Sequence, residues 1–138
     1  MPDSCNPRYP DAHALEQRLA PIHAAIERYY SGKALRYGAT PAGVDWPSRA
    51  GQELRIVRLL RSFNLEGVCS LNDLGCGYGA ALAVLSKHYP DAEVDYLGID
   101  LSAEMIRLAN TLWGHRKQTN FIVRTVALMN ADLLAFTP

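Results

Sequence analysis

Asp73-Leu74-Gly75-Cys76-Gly77-Tyr78-Gly79 is the stretch whose reading decides the fold. A short apolar strand, Leu71-Asn72-Asp73-Leu74, runs into closely spaced glycines. The segment from Tyr78 to Tyr89 follows, apolar nearly all round, and reads as a buried helix that Pro90 prevents from continuing. A strand that ends in glycines and enters a helix brings bare backbone against a ligand. Glycine permits the tight turn and the close approach, and the free N–H groups of the helix start face the ligand.

Downstream the same texture repeats. Val94 to Ile99 is a second strand, and Ser102 caps a second helix with Met105, Leu108, Ala109 and Leu112 on its inner face. Gly114 is that helix's stop signal, and Phe121 to Met129 reads as a third strand. The order βαβαβ implies parallel pairing with right-handed crossovers, one half of a doubly wound α/β sheet. Gly98-Ile99-Asp100-Leu101-Ser102 sets a carboxylate at the end of the second strand, 25 residues after Gly75. Parallel strands open on the same edge, so Asp100 shares a crevice with the glycine turn. There it can accept hydrogen bonds from both hydroxyls of a ribose.

Upstream the sequence is helical. Residues 1–11 hold three prolines and two aspartates and read as a lead-in. Leu15, Leu19, Ile22, Ile26 and Tyr29 recur at helical steps; Pro21 either kinks this helix or starts a second one, and Gly32 is its expected stop. Gly38 to Pro47 is a loop containing Trp46. Ser48 caps a further helix whose buried side comprises Leu54, Val57, Leu60, Ile56, Leu59 and Phe63. The chain thus divides into a helical segment with a lid-like loop (1–66) and a Rossmann-like part (67–138).

Composition bounds the function. The 138 residues are 49% hydrophobic and 20% charged, the balance of a soluble globular domain, with 14 basic and 14 acidic side chains. Zero net charge points to neither nucleic acid nor an anionic membrane. Cys5, Cys69 and Cys76 are odd in number and lack metal-ligand spacing, so no zinc site or disulfide framework is expected and a reducing cytoplasm is. No apolar run approaches the roughly 18–20 residues of a membrane span.

Two cofactor classes fit the turn. Gly75-Cys76-Gly77-Tyr78-Gly79-Ala80 matches a dinucleotide (NAD) fingerprint ending in alanine. Against it, Asp73 would set negative charge near a pyrophosphate, whereas a ligand with a cationic amino group would welcome it. The long helical lead before the first strand also weighs against a dinucleotide domain.

Ser70 to Gly79 resembles the first motif of class I S-adenosylmethionine-dependent methyltransferases. Tyr96-Leu97-Gly98-Ile99-Asp100-Leu101-Ser102, with Met105-Ile106-Arg107-Leu108-Ala109, resembles their second strand and following helix. The resemblance covers residues 70–123. It implies an α/β, Rossmann-like methyltransferase fold and a cofactor site made of Asp73, Leu74, Gly75, Cys76, Gly77, Gly79, Asp100 and Leu101. Gly75 and Gly77 would let the methionine part of S-adenosylmethionine lie on the backbone, and Asp73 would stabilise its amino group. Asp100 would hold the ribose, with Leu101 against the adenine and Met105 in the core. Cys76 is a small residue that fits the turn, not a nucleophile.

The implied activity is methyl transfer to a small molecule of unread identity, with a non-catalytic cofactor-binding or scaffold role as the alternative. No catalytic base is evident. His13, His23, His88 and His115 read as surface or helix-end groups, Arg55, Arg58 and Arg61 as a solvated face, and Tyr30, Lys33 and Tyr37 as residues able to close over the cofactor.

The family usually places an acid soon after its third strand. Here Thr125 stands near that place and Asp132 lies several residues further on. The family sheet has seven strands, and the 69 residues from Ser70 hold three, so the sequence reads as a truncated cofactor-binding half. Its first strand would then be an edge that pairs with another copy, leaving the chain marginally stable and with little turnover alone.

Overall fold

The computed structural model describes residues 12–65 and 67–124. Helix α1 (Ala12–Tyr37) leads to a single 3₁₀ turn (Pro41–Val44) and helix α2 (Arg49–Leu60). There follow β1 (Val68–Leu74), α3 (Ala80–His88), β2 (Glu93–Asp100), α4 (Ala103–Trp113) and β3 (Thr119–Val123). The three strands form one parallel sheet in the order β1-β2-β3, the incomplete Rossmann-like arrangement the βαβαβ pattern implied. Among the described residues no helix is long and apolar enough to cross a membrane.

Register decides which side chains meet. Cys69 pairs with Val94, Leu71 with Tyr96 and Asp73 with Gly98, so all six share one face of the sheet. That face carries the core: Val94 and Tyr96 pack with Leu82, Val84 and Leu85 of α3 and Leu60 of α2, while Trp113 and Phe121 close the side toward β3. On the opposite face Ser70, Asn72, Leu74, Asp95 and Asn120 are exposed. The site-bearing ends of β1 and β2 therefore open on the helix-covered face.

Element ends differ from the sequence expectation in instructive ways. Helix α1 passes through both Pro21 and Gly32 and stops only at Gly38, whose φ is +62° and whose N–H donates to the Ala34 carbonyl. The propensity penalty at Gly32, about 1 kcal/mol, is outweighed by packing beyond it, where Ala34 is buried. Helix α2 buries Leu60 and half-buries Ile56 and Val57, while Leu54, Leu59 and Phe63 are exposed. The expected face was too wide, because α2 meets the core on the α3 side. The buried side of α4 is Met105, Ile106 and Ala109, with Leu112 exposed. Strand β1 begins earlier, at Val68, and α3 two residues later, at Ala80, because Tyr78 and Gly79 still belong to the turn. Strand β3 begins at Thr119, and the remainder of the predicted third strand lies outside the described residues.

Both serine caps form as read. Ser48 Oγ accepts from Gly51 N, and Ser102 Oγ from Met105 N. Ser102 is wholly buried and has a second task. Ser31 Oγ lies 2.8 Å from Ser102 Oγ and donates its single proton to Glu27 Oε1, so Ser102 is the donor to Ser31. One hydroxyl thus caps α4 and ties it to α1. Ser102→Ala is expected to cost about 1–2 kcal/mol, the range for a lost N-cap. A urea titration measures it, and a cost below a few tenths would show the cap to be idle.

Candidate cofactor-binding site

The glycine turn is built from three left-handed residues, Gly75 (φ +72°), Gly77 (+54°) and Gly79 (+82°). Side-chain-bearing residues rarely adopt that region. Space separates their roles. A Cβ on Gly79 would lie 2.8 Å from the Trp113 ring, and one on Gly77 3.0 Å from Val44 Cγ1. A Cβ on Gly75 would meet nothing within 4 Å, and Gly75 lines a cavity. Gly77 and Gly79 are thus held by packing, and Gly75 leaves room for something else.

Four N–H groups of the turn are taken up by acceptors within the protein. Gly75 N and Cys76 N both donate to the Ile99 carbonyl (2.7 and 3.0 Å), and Gly79 N donates to Cys76 O. Gly77 N donates to Asp100 Oδ2 at 2.9 Å, while Asp100 Oδ1 accepts from Ser102 N at 2.9 Å. Gly75, Cys76, Gly77 and Gly79 therefore offer a ligand bare backbone rather than donors.

The cavity above the turn has a volume of about 460 Å³, within the usual range for small-molecule sites. Its floor is the turn with Asp73, Leu74, Asp100 and Leu101. Leu74 is exposed and Leu101 half-buried, whereas Met105 beneath is a core residue, 1% exposed. The other wall comes from the N-terminal segment: Ile26 and Tyr30 of α1, Val44 and Trp46 of the loop, and Gln52 and Phe63.

Two carboxylates at neighbouring strand ends set the electrostatics. Burial pushes the Asp73 carboxyl above its ordinary range; a hydrogen bond from the Tyr96 phenol draws it down, and the Asp100 charge adds to the rise. Burial, reinforced by both carboxylates, drives the Cys76 thiol far up, so it stays protonated and is no nucleophile. The floor attracts cations and repels phosphate.

Among the residues expected to close over the site, only Tyr30 lines the cavity. Its phenol is pushed up by burial and then by Asp45. Lys33 forms an ion pair with Asp45, which also accepts from the Tyr29 hydroxyl at 3.1 Å. The ammonium sits 5.6 and 5.4 Å from the Tyr29 and Tyr37 ring centres. Hydrogen bonding between the pair holds the Asp45 carboxyl low and the Lys33 ammonium high. Lys33 and Tyr37 brace the loop that carries Val44 and Trp46 and do not line the cavity.

Val44, Trp46 and Gln52 were not singled out as site residues. Trp46 in a Gly/Pro-rich loop was the available signal; Gln52, buried and accepting from the Tyr78 hydroxyl at 2.9 Å, had none. Arg55 stacks 5.7 Å from the Trp46 ring. No histidine lines the cavity; His88 instead joins Lys87 in binding Glu53, fastening α3 to α2. Among the described residues no group of three or more His, Cys, Asp or Glu gathers to hold a metal ion. Thr125 and Asp132 lie outside the described residues.

Residues 72–136 match the profile of a family described as a methyltransferase domain. The match takes in the end of β1, the glycine turn and every described element after it. A Mycobacterium tuberculosis protein, Rv1506c, that carries the name of a methyltransferase is 43% identical over 63 residues, covering 46% of this chain and 37% of that protein. A trans-aconitate 2-methyltransferase of an Azoarcus species is 36% identical over 90 residues, 64% of this chain and 31% of that protein. The chain spans about a third of the length of these curated relatives. Among solved structures, a SAM-dependent methyltransferase from Anabaena variabilis superposes with a TM-score of 0.46 at 21% identity, over 75% of this chain and 39% of that one. That overlap is too loose to weigh beside the sequence match.

Asp73 gives the folded chain a measurable signature. Its folded pKa is raised, so the folded chain takes up a proton that the unfolded chain releases, and stability from this group grows as pH falls through that pKa. Asp73→Asn removes the disfavoured charge. The variant is expected to melt above the parent at pH 8, and the gap to narrow toward acid pH in calorimetric scans. A gap independent of pH would show that Asp73 is not desolvated.

Proposed function

We propose that this chain holds S-adenosylmethionine in the cavity over the glycine turn, as the cofactor-binding portion of a methyltransferase acting on a small molecule in the cytoplasm. The observation that carries the reading is the pair Asp73 and Asp100 flanking Gly75, whose missing side chain leaves open space in a cavity of fitting size.

The residues fit that cofactor in chemical kind. Asp73, desolvated beside a second carboxylate, is relieved by an ammonium group. Asp100 spends one lone pair of each oxygen on Gly77 N and Ser102 N, and a carboxylate has about four such sites. It retains acceptors for two ribose hydroxyls. Gly75, Cys76 and Gly77 supply backbone against the methionine part, and Leu74 and Leu101 supply apolar surface for the adenine. Gly79 keeps the turn clear of Trp113. A pyrophosphate would instead meet two negative charges, which disfavours NAD.

S-adenosylmethionine, when bound, supplies a methyl group activated on a sulfonium. What the chain contributes is alignment, which is worth about 7–11 kcal/mol when an acceptor is held in line. Tyr30, Trp46 and Ile26 form the wall against which an acceptor would be held. A small acceptor is supported by the Azoarcus relative, named for trans-aconitate. The free thiols Cys69 and Cys76 suit a reducing compartment.

Titration calorimetry with S-adenosylhomocysteine and with NAD tests the reading; binding of the first and not the second is expected. Asp100→Asn should weaken binding by about 1.5–3 kcal/mol, the scale of hydrogen bonds to a charged group, with circular dichroism checking the fold. Binding of NAD alone, or an Asp100→Asn affinity within twofold of the parent, overturns it. Gly75→Val should abolish binding while costing the fold only about 1–2 kcal/mol for the left-handed backbone; undiminished affinity would remove the turn from the site.

A further inference from the structure

Tyr96 is wholly buried in the core of β2, where a phenylalanine would fill the same space without burying a hydroxyl. A buried hydroxyl is costly unless bonded. Its partner is Asp73 Oδ2, at 2.5 Å. The register explains the meeting. Leu71 pairs with Tyr96 and Asp73 with Gly98, so the phenol reaches one pleat forward to a diagonal neighbour on the adjacent strand.

Gly98 keeps that route clear. A Cβ there would lie 2.6 Å from the Phe121 ring and 3.0 Å from Cys76 Sγ. The Phe121 ring in turn packs edgewise on Tyr96, with centroids 5.8 Å apart. The phenol is thus fixed on the sheet side, and Asp73 faces the cavity.

We propose that Tyr96 is a positioning residue for the cofactor: its buried hydroxyl, bonded to Asp73, keeps that carboxylate ionised and aimed at the place where the cofactor's amino group docks. The second half rests on the S-adenosylmethionine reading above; the first does not. Burial holds the Tyr96 phenol protonated far beyond ordinary pH, so it is a fixed donor. It opposes two influences that favour protonation of Asp73, burial and the Asp100 charge. Among the described residues, the other titratable or charged groups around the cavity are Cys76 in the turn, Tyr30 of α1, Tyr78 ahead of α3 and Arg124 after β3. An ammonium is held by ionised Asp73, so affinity is present above the Asp73 pKa and lost as pH falls through it. Removing the hydroxyl moves that loss to higher pH.

Carboxyl-carbon NMR on the full chain, with Asp73→Asn assigning the signal, reads the Asp73 midpoint without any ligand. In Tyr96→Phe the midpoint is expected to rise by about one pH unit or more, and S-adenosylhomocysteine affinity near neutrality to fall about tenfold. The Asp73→Asn variant should bind weakly with no acid limb from this group, and adding Tyr96→Phe to it should cost nothing further. An unchanged midpoint, or an equal loss from Tyr96→Phe in the Asp73→Asn background, overturns the proposal. Should Tyr96→Phe fail to fold, the hydroxyl proton of Tyr96 in the parent chain decides. Its NMR shift must move with the Asp73 midpoint, and independence overturns the pairing. Failure of the parent chain to bind S-adenosylhomocysteine would overturn the cofactor reading, while the ligand-free midpoint still decides the role of Tyr96.

Discussion

The Asp100 carboxylate binds two backbone N–H groups that belong to different elements, Gly77 of the turn after β1 and Ser102 at the start of α4. That bridge is the constraint on which the site depends. It fixes the turn from β1 to α3 against the end of β2, and the Ile99 carbonyl reinforces it by accepting from both Gly75 and Cys76. Ser102 then extends the connection to Ser31, so the end of β2 and the cap of α4 together position the floor of the cavity and the helix that walls it. A ligand group bound at Asp100 would be felt at α1 through two hydrogen bonds, Ser102 N to Asp100 and Ser102 Oγ to Ser31.

The arrangement works against stability. Two carboxylates face one partly desolvated cavity, and the sign of the Asp73 shift shows that the folded chain would rather neutralise one of them. Proteins accept such conflicts where binding requires them. Compensation comes from the apolar packing of Tyr96, Leu82, Leu85 and Val94 directly beneath, while on the opposite wall the Lys33–Asp45 pair orders the loop. That pair is solvent-exposed, so it sets the loop's geometry more than it adds stability.

Much of this was legible because the decisive signals are local. The glycine spacing, the acid at the end of the next strand, the Ser102 cap and the parallel order all depend on a handful of adjacent residues and the period of the pattern. What escaped was tertiary. Nothing local says that α1 continues through Gly32, since the reason is its packing beyond that point; nor does periodicity say which part of α2's apolar surface meets α3. Nor does anything local say that the N–H groups of Gly75, Cys76 and Gly77 are taken up, since their acceptors, Ile99 and Asp100, lie more than twenty residues away. Val44, Trp46 and Gln52 were missed for the same reason, being brought to the turn across some thirty residues of chain.

Gly98 shows how a residue with no side chain can organise several that have one. Within the second-strand motif its cost to strand stability gives no hint of purpose. In the fold, the volume a methyl group would occupy is shared by the Phe121 ring and the Cys76 sulfur. Cys76 can therefore sit buried inside the turn, Phe121 can brace Tyr96, and Tyr96 can reach Asp73. A larger residue at 98 would displace Phe121 or Cys76, and through them both the turn's conformation and the phenol's aim. The glycines of the turn make room for a ligand; the glycine of the strand makes room for the side chains that hold the turn in place.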